Sequence, residues 1–219
     1  LTNLQTIIDH TTNYCTRRYK KYRSKLNNKD RKVMHLIIVS DIFGKTKELI
    51  SFVDNFKKMY QSIRIIDPYD GVMNNFKDEQ EAYNSFQENC SLELLSEKVI
   101  KAISKAEDSI DLIGFSVGAS AIWKISEFDY PISIKNVFCF YGSKIRDMVD
   151  INPSFFINLI FPKSEKHFSI EELFSKISKK ENVYCEMTVY NHGFMNKRSI
   201  NYDADAYKMF TDLIKKIIN

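Results

Sequence analysis

The sequence predicts an α/β domain with a mainly parallel sheet and helices on both of its faces. Three observations lead to this class. From residue 33 onward, short apolar runs rich in β-branched residues alternate with longer segments whose apolar residues recur at helical spacing. The chain has 219 residues, of which 44% are hydrophobic, and this is enough to bury a large core. No internal repeat or low-complexity linker interrupts the alternation.

Each predicted strand is a short apolar run, and each predicted helix carries an apolar stripe. The run VMHLIIVS is almost continuously apolar, as expected for a strand buried on both faces of a parallel sheet. In KTKELISFVDNFKKMY the apolar residues recur three and four positions apart, which is typical of a helix. Strands are expected at 33–40, 63–67, 109–115, 135–142, 154–161 and 182–190. Helices are expected at 45–60, 91–106 (with Ser91 as N-cap), 117–126, 169–180 and 203–218, and loops at 68–90, 142–153 and 193–202.

The first 32 residues differ from the rest of the chain in charge. They hold nine of the 32 Lys and Arg residues and two of the 28 Asp and Glu residues, so the segment carries +7 and the remainder −3. We therefore expect a basic N-terminal segment, 1–32, packed on or flanking an α/β domain, 33–219. The run RRYKKYR could also contact nucleic acid or an anionic surface, but a solvated segment is favoured because charge runs usually form solvated faces.

Cysteine usage and hydropathy indicate a soluble, cytoplasmic protein. The four cysteines form no CxxC pair, and Cys139 and Cys185 lie in predicted strands, so reduced core thiols are expected rather than disulfides or a zinc site. No stretch reaches the about 18 apolar residues of a membrane helix, and the sequence begins without the apolar segment of a signal peptide. Neither metal-ligand spacing nor a glycine-rich phosphate loop is present.

A serine flanked by glycines follows the third predicted strand. The stretch DLIGFSVGAS places Ser116 at the predicted junction of a strand and a helix, with Gly114 and Gly118 two positions away on either side. A sharp turn at such a junction strains the backbone of its central residue and requires small neighbours, so that strand and helix can approach. The turn would expose the serine hydroxyl at the N-terminus of a helix, where developing negative charge is stabilised. Ser116 is therefore the candidate nucleophile.

A nucleophilic serine needs an imidazole as base and a carboxylate that orients it. In this architecture the partners follow the serine in the order acid, histidine, each on a loop after a later strand. His192 lies in YNHGF, two residues past the last predicted strand, and Glu165 follows the strand that ends at Phe161. The other histidines lack such positions, and His35 is expected as a core or sheet-edge residue. Ser116, Glu165 and His192 are thus predicted to converge.

An acyl-transfer site also needs donors for an oxyanion. The N–H group of Val117, directly after the serine, is the first candidate. The second is expected from the loop after the first strand, VSDIFGK, where either Ile42 or Phe43 would turn its N–H group inward and Gly44 would allow the bend.

Several blocks of the chain together resemble one family of enzymes. The blocks VSDIFG, DPYDG, AYNSF, GFSVGAS, VFCFYG and YNHGF, in this order, are similar to the dienelactone hydrolase family of α/β hydrolases. The resemblance covers about residues 33–219. It implies the α/β-hydrolase fold without a large lid, and a carboxylic-ester or lactone hydrolase that uses no cofactor. It carries the nucleophile onto Ser116, the acid onto Glu165, the base onto His192 and the oxyanion donors onto Ile42 and Val117.

The chain also departs from that family at defined positions. Founding members use a cysteine nucleophile and a glutamate before the IFG block, whereas this chain has a serine and Asp41. Their acid is usually an aspartate in a G-x-x-D turn, whereas here the turn reads PKSE and ends at Glu165. Asp41, Phe43 and Arg198 are therefore candidates for tuning the site or contacting the substrate.

Two alternatives to an esterase stay open at this stage. The first is a catalytically idle α/β-hydrolase scaffold that binds a small molecule or a protein partner. The second is a binder of nucleic acid or a membrane surface that uses residues 14–32. The favoured partner is a small-molecule ester or lactone, with no cofactor, no metal and no membrane span; nucleic acid is disfavoured, and both a monomer and a dimer are compatible with the sequence.

Overall fold

The sheet of this protein has six parallel strands. The structure is a computed structural model that describes residues 35–218; the predicted N-terminal segment, 1–32, lies outside the described residues. The strands are β1 (His35–Val39), β2 (Ser62–Ile66), β3 (Ile110–Phe115), β4 (Ile134–Phe140), β5 (Ile157–Phe161) and β6 (Val183–Met187). They are arranged in the order β2-β1-β3-β4-β5-β6, and every neighbouring pair is parallel. The predicted α/β class is confirmed.

Helices connect the strands and cover both faces of the sheet. In residues 35–218 they are α1 (Lys47–Asp54), α2 (Glu79–Asn89), α3 (Leu92–Ile103), α4 (Val117–Ile125), α5 (Ile170–Ile177) and α6 (Ala204–Ile218), with a 3₁₀ helix at Ser143–Asp147. One buried apolar cluster lies between the sheet and α2, α3, α4 and α5, and a second lies between the opposite face and α1 and α6. Strands buried on both faces explain the continuous apolar runs in the sequence.

Polar side chains fix where four of the helices begin. The side-chain oxygens of Thr46, Asp78, Ser91 and Ser169 accept the backbone N–H three residues later, which satisfies an otherwise unbonded donor in the first helical turn. Ser91 is the cap that the sequence predicts, so this prediction is confirmed.

Some element boundaries differ from the prediction. The stretch 68–90 was expected to be a loop but contains α2. Most residues of this helix are polar, and only Ala82 and Phe86 are buried, so its apolar stripe is too short to recognise in the sequence. The fifth and sixth strands are shorter than predicted, because residues 154–156 and 188–190 belong to loops. His35 lies at the start of β1 and hydrogen-bonds Ser62 Oγ of β2 at 2.7 Å, as expected for a histidine satisfied within the sheet.

Two further findings concern membranes and cysteines. Among the helices of residues 35–218, none combines the length and apolar character that a membrane crossing requires. Cys90 and Cys139 are buried free thiols, and Cys185 of β6 is partly buried. Burial raises the pKa of the Cys139 thiol, which therefore stays protonated in the core.

Candidate active site

Ser116 occupies a strained turn between β3 and α4. Its backbone has φ 51° and ψ −112°, a region that residues with a side chain rarely adopt. The flanking glycines are required by close packing. A Cβ atom on Gly118 would come within 2.4 Å of the Val39 carbonyl oxygen, and one on Gly114 within 2.8 Å of the Ala119 backbone nitrogen. The turn brings strand and helix too close for any larger residue at either position.

The Ser116 hydroxyl is left available for chemistry. Ser116 is the N-cap residue of α4, yet its side chain makes no capping hydrogen bond. Its Oγ atom lies 3.1 Å from His192 Nε2, which is hydrogen-bonding distance. The backbone around it is fixed instead by the bond from the Ser116 N–H to the Phe140 carbonyl at 2.9 Å.

His192 also contacts the predicted acid. Its Nδ1 atom lies 2.6 Å from Glu165 Oε1, across 27 positions of the chain. Since a carboxylate only accepts hydrogen bonds, the neutral ring facing it carries its proton on Nδ1 and presents the Nε2 lone pair to the serine hydroxyl. The structure therefore brings Ser116, His192 and Glu165 together in the arrangement that a serine nucleophile requires.

The loops that carry the acid and the base are held against each other. Glu165 follows β5 by four residues, and His192 follows β6 by five rather than the predicted two, because β6 ends at Met187. The Lys163 N–H donates to the Tyr190 carbonyl at 2.6 Å, which joins the two loops. The side chain of Asn201 donates to the His192 carbonyl at 2.9 Å.

Two backbone N–H groups near the serine have no partner within residues 35–218. These are the groups of Val117, the first residue of α4, and of Ile42, in the loop after β1. The sequence left Ile42 and Phe43 as alternatives. The Phe43 N–H donates to Asp41 Oδ1 at 3.0 Å, so the Ile42 N–H is the one available to an external acceptor.

Asp41 links the loop that carries Ile42, which we call the oxyanion loop (residues 40–44), to the loop after β6 that carries His192, which we call the histidine loop (residues 188–203). Its Oδ2 atom accepts a hydrogen bond from Asn196 Nδ2 at 2.5 Å. Burial raises the pKa of Asp41 to about 6, although the bonds from Phe43 and Asn196 and the nearby His192 lower it. A second contact fixes the loop from outside, because the Tyr69 hydroxyl donates to the Ile42 carbonyl at 2.8 Å.

Arg198 joins three loops through its side chain. Its guanidinium donates to the Phe76 carbonyl and lies over the Phe43 ring, 5.4 Å from the ring centre. The sequence offered Phe43 and Arg198 as candidates for tuning the site or contacting the substrate. In the structure the two residues contact each other beside Ile42.

Sequence reasoning did not single out Tyr141, whose ring packs on that of His192. Its ring centre is 4.8 Å from that of His192, its φ is 42°, and it is 1% exposed. Burial raises its pKa well above the usual value, so the phenol is neutral. The VFCFYG block contained the signal. In this block Tyr141 directly follows a buried strand, at the same carboxyl edge of the sheet as Ser116.

The last candidates to consider are His167 and the residue types that could hold a metal ion. His167 is exposed at the surface of the loop between β5 and α5. In the part of the chain that the structure describes, no group of three or more His, Cys, Asp or Glu residues is placed so that it could hold a metal ion.

The sheet order, the strained serine turn and the loop positions define the α/β-hydrolase fold, and comparisons with solved structures agree. A candidate dienelactone hydrolase from Klebsiella pneumoniae subsp. pneumoniae MGH 78578 is 12% identical, with a TM-score of 0.67 over 87% of this chain and 89% of that protein. The α/β hydrolase domain-containing protein 10 from mouse is 8% identical, with a TM-score of 0.59 over 87% of this chain and 91% of the mouse protein. This chain has the α/β-hydrolase fold.

Sequence comparison gives a relative of similar length. The uncharacterized protein YczH of Bacillus subtilis strain 168 is 28% identical over 192 residues, which cover 82% of this chain and 90% of YczH. No family model matches the sequence. The resemblance to dienelactone hydrolases that the sequence suggested is confirmed as a resemblance of fold.

Proposed function

We propose that this protein is a serine hydrolase that cleaves a carboxylic ester or lactone through an acyl-enzyme. Ser116 is the nucleophile, His192 is the general base and acid, and Glu165 orients the imidazole and stabilises its protonated form. The N–H groups of Ile42 and Val117 bind the oxyanion. A cytoplasmic location stays a prediction from the sequence.

The reaction takes place in two steps. In the first, Ser116 Oγ attacks the ester carbonyl carbon while its proton moves to His192 Nε2, and the carbonyl oxygen gains the negative charge that the two N–H groups stabilise. The bond to the leaving alcohol then breaks, and the alcohol takes the proton from His192. In the second step, water gives a proton to His192 and attacks the acyl group, and the serine oxygen leaves with that proton.

One observation carries this proposal. His192 bridges the Ser116 hydroxyl at 3.1 Å and the Glu165 carboxylate at 2.6 Å, although the three residues belong to loops after three different strands. A strained serine at a strand-to-helix turn and two unbonded N–H groups beside it support the same chemistry. The hydrolase names of the compared structures agree with it.

Two measurements with the full chain test the proposal. We expect a fluorophosphonate probe to label Ser116, and a short p-nitrophenyl ester to be hydrolysed by the wild type. In Ser116→Ala, labelling is lost and turnover falls by about 10³-fold or more, because the nucleophile is gone. Ser104→Ala, at an exposed serine after α3, is the matched control and keeps both signals.

The idle-scaffold alternative makes the opposite prediction. If it holds, a folded wild-type chain takes up no probe, and Ser116→Ala has the same residual ester hydrolysis as the wild type. Circular dichroism and thermal unfolding of both proteins would show that the comparison is made between folded chains.

A further inference from the structure

A small cavity lined by both polar and apolar residues lies beside the candidate active site and is not used by the proposed mechanism. Its volume is about 30 Å³, and its polar lining includes Asp41, Glu48, Tyr141, Asn196 and Lys197. It lies between the oxyanion loop, the first turn of α1 and the histidine loop. A space of this size holds a group as large as one or two water molecules.

Two oxygen atoms of this lining are buried without a regular hydrogen bond. Within residues 35–218, Oε2 of Glu48 has no hydrogen bond, and the Tyr141 hydroxyl has none of regular geometry, although the nearby Met195 backbone N–H lowers its pKa in part. Such atoms are rare in folded proteins, since a buried polar group that lost its water must be compensated by a new bond. Their common cavity suggests that a bound group supplies these bonds.

The position of Glu48 in its helix does not by itself explain the unsatisfied oxygen. Glu48 belongs to the first turn of α1, where a carboxylate is favoured by the helix dipole. That interaction does not require the carboxylate oxygen to be buried. The Lys197 ammonium, which also lines the cavity, lies 5.0 Å from the centre of the Tyr207 ring, and the described residues provide no ion pair to Glu48.

The chemistry of the cavity selects its occupant. Glu48 and Asp41 present carboxylates, and the Tyr141 hydroxyl can both accept and donate. Although the Lys197 ammonium also lines the cavity, the buried Glu48 oxygen without a partner can only accept, and it favours a compact donor of hydrogen bonds. The small volume fits an ammonium or a hydroxyl group.

The cavity is separated from the reacting groups by one layer of residues, because Tyr141 and Asp41 line it whereas Ser116 and His192 do not. Tyr141 packs on the His192 ring with centres 4.8 Å apart, and Asp41 immediately precedes Ile42, the proposed oxyanion donor. A substrate whose carbonyl lies at Ser116 could therefore extend a short arm into this space.

We infer that the cavity between Glu48, Tyr141 and Asp41 is a substrate subsite for a compact hydrogen-bond donor, an ammonium or hydroxyl group on the ester or lactone. The inference rests on the proposed function, because it assigns part of the same substrate. This subsite differs from one for an anionic substrate, because the carboxylate of Glu48 can only accept hydrogen bonds.

A series of p-nitrophenyl esters tests this subsite. The acyl chains, three to six carbons long, end in a methyl, hydroxyl, ammonium or carboxylate group, and kcat/KM is measured for each. At one chain length we expect the ammonium or hydroxyl ester to exceed the methyl ester by at least about fivefold. The carboxylate ester is the poorest of the four.

Variants show whether the cavity causes the selectivity. Glu48→Gln is expected to lower the ammonium-to-methyl ratio by about fivefold or more, and Tyr141→Phe to lower the hydroxyl-to-methyl ratio. Glu88→Gln, at an exposed glutamate of α2, is the matched control and keeps both ratios. Ratios that are equal in wild type, Glu48→Gln and Tyr141→Phe, or a preference for the carboxylate ester, would overturn the inference.

Ligand binding separates this inference from the proposed function. We expect butylammonium or butanol, but not butyrate, to raise the thermal unfolding temperature of the wild type, and the butylammonium shift to be smaller in Glu48→Gln. If no ester is hydrolysed but this shift is present, the hydrolase proposal fails and the binding cavity stands. If esters are hydrolysed without selectivity and no amine or alcohol shifts the unfolding temperature, the subsite is wrong and the hydrolase stands.

Discussion

Two aspartates at opposite ends of the sheet have a similarly raised pKa but different surroundings. Burial raises the pKa of both Asp111 and Asp41 to about 6, and in both cases hydrogen bonds lower it in part. Asp111, at the amino end of β3, accepts bonds from the Tyr60 hydroxyl at 2.7 Å and from the backbone and side chain of Asn136 at 2.9 Å. Both of its oxygens are thus bonded within the fold.

Asp41, at the carboxyl end, has a less complete environment. Its own oxygens are bonded to Phe43 and Asn196, but the adjacent Tyr141 and Glu48 each keep a buried oxygen without a partner in the described chain. The comparison shows that a similar rise in pKa occurs at Asp111, whose oxygens are bonded within the fold, and at Asp41, whose neighbours keep unbonded oxygens. Two of the three buried side-chain atoms without a hydrogen bond in the described residues lie at the carboxyl ends of the strands, where parallel sheets bind ligands; the third, Thr211 Oγ1, lies in α6.

The largest predicted effect is a loss of activity. It is expected from a substitution at the carboxyl ends of the strands that does not change the free energy of unfolding. In His192→Gln we expect kcat for ester hydrolysis to fall by about 10³-fold or more, because no base takes the serine proton. Chemical denaturation should show a free energy of unfolding within about 1 kcal/mol of the wild type. The exposed His167→Gln serves as control, and a retained rate in His192→Gln would contradict the assigned base.

A substitution at the amino ends of the strands should reduce stability and leave activity unchanged. Asp111→Ala leaves the buried N–H groups of Asn136 without their acceptor, and we expect it to reduce the free energy of unfolding by about 3 kcal/mol. The activity per folded molecule should stay unchanged. Urea denaturation and a titration of active sites measure the two quantities, and a selective loss of kcat would remove the distinction between the two ends.

The pH dependence of stability distinguishes a buried carboxyl from a paired one. Because the pKa of Asp111 is about 6 in the folded state and its ordinary value is 3.8, the folded state binds more protons than the unfolded state between these pH values. Its contribution to stability is therefore present below about pH 4 and is lost as the pH rises to about 6. Between pH 4 and pH 6, the free energies of unfolding of Asp111→Asn and Asp41→Asn should each rise by about 2 kcal/mol relative to that of the wild type.

Unfolding curves at both pH values measure that difference. A difference from wild type that stays constant, or that becomes less favourable to the variants as the pH rises, would reject the raised pKa values. The exposed Asp212→Asn should show no such trend and serves as control.

The smallest effect concerns packing at the serine turn. Gly118→Ala should destabilise the protein by at least about 1 kcal/mol more than Gly71→Ala, because its Cβ would meet the Val39 and Ser40 carbonyl oxygens at 2.4 and 2.5 Å. Gly71 has φ 85° and open space around it, so only backbone strain applies there. Thermal or urea unfolding compares the two, and an equal loss in both variants would show that the turn tolerates a methyl group.

The parts of the molecule that could be predicted from the sequence are those that local patterns determine. Continuous apolar runs identified all six strands of the described sheet, and loop order alone paired Glu165 and His192 with Ser116. The helix α2 was missed because Ala82 and Phe86 are its only buried residues. The ends of β5 and β6 were misplaced because apolar residues such as Phe155 and Val189 continue the pattern into loops.

The additional site residues could not be predicted, because their environment is assembled from distant segments. Glu48 and Tyr141 meet at one cavity although 92 intervening residues separate them in the sequence. The bond between Asp41 and Asn196 spans 155 positions. A single sequence contains no local pattern for such pairs.

The spacing of the reacting groups has a consequence for how the protein is made. Ser116 and His192 are 76 positions apart, and the loop that carries the histidine follows β6, the last strand of the described sheet in chain order. A nascent chain that has completed β3 already contains the serine but has no means of activating it. In a refolding experiment, regained turnover would therefore report the arrival of the final strand, which is a late event in parallel sheets because their pairings are non-local.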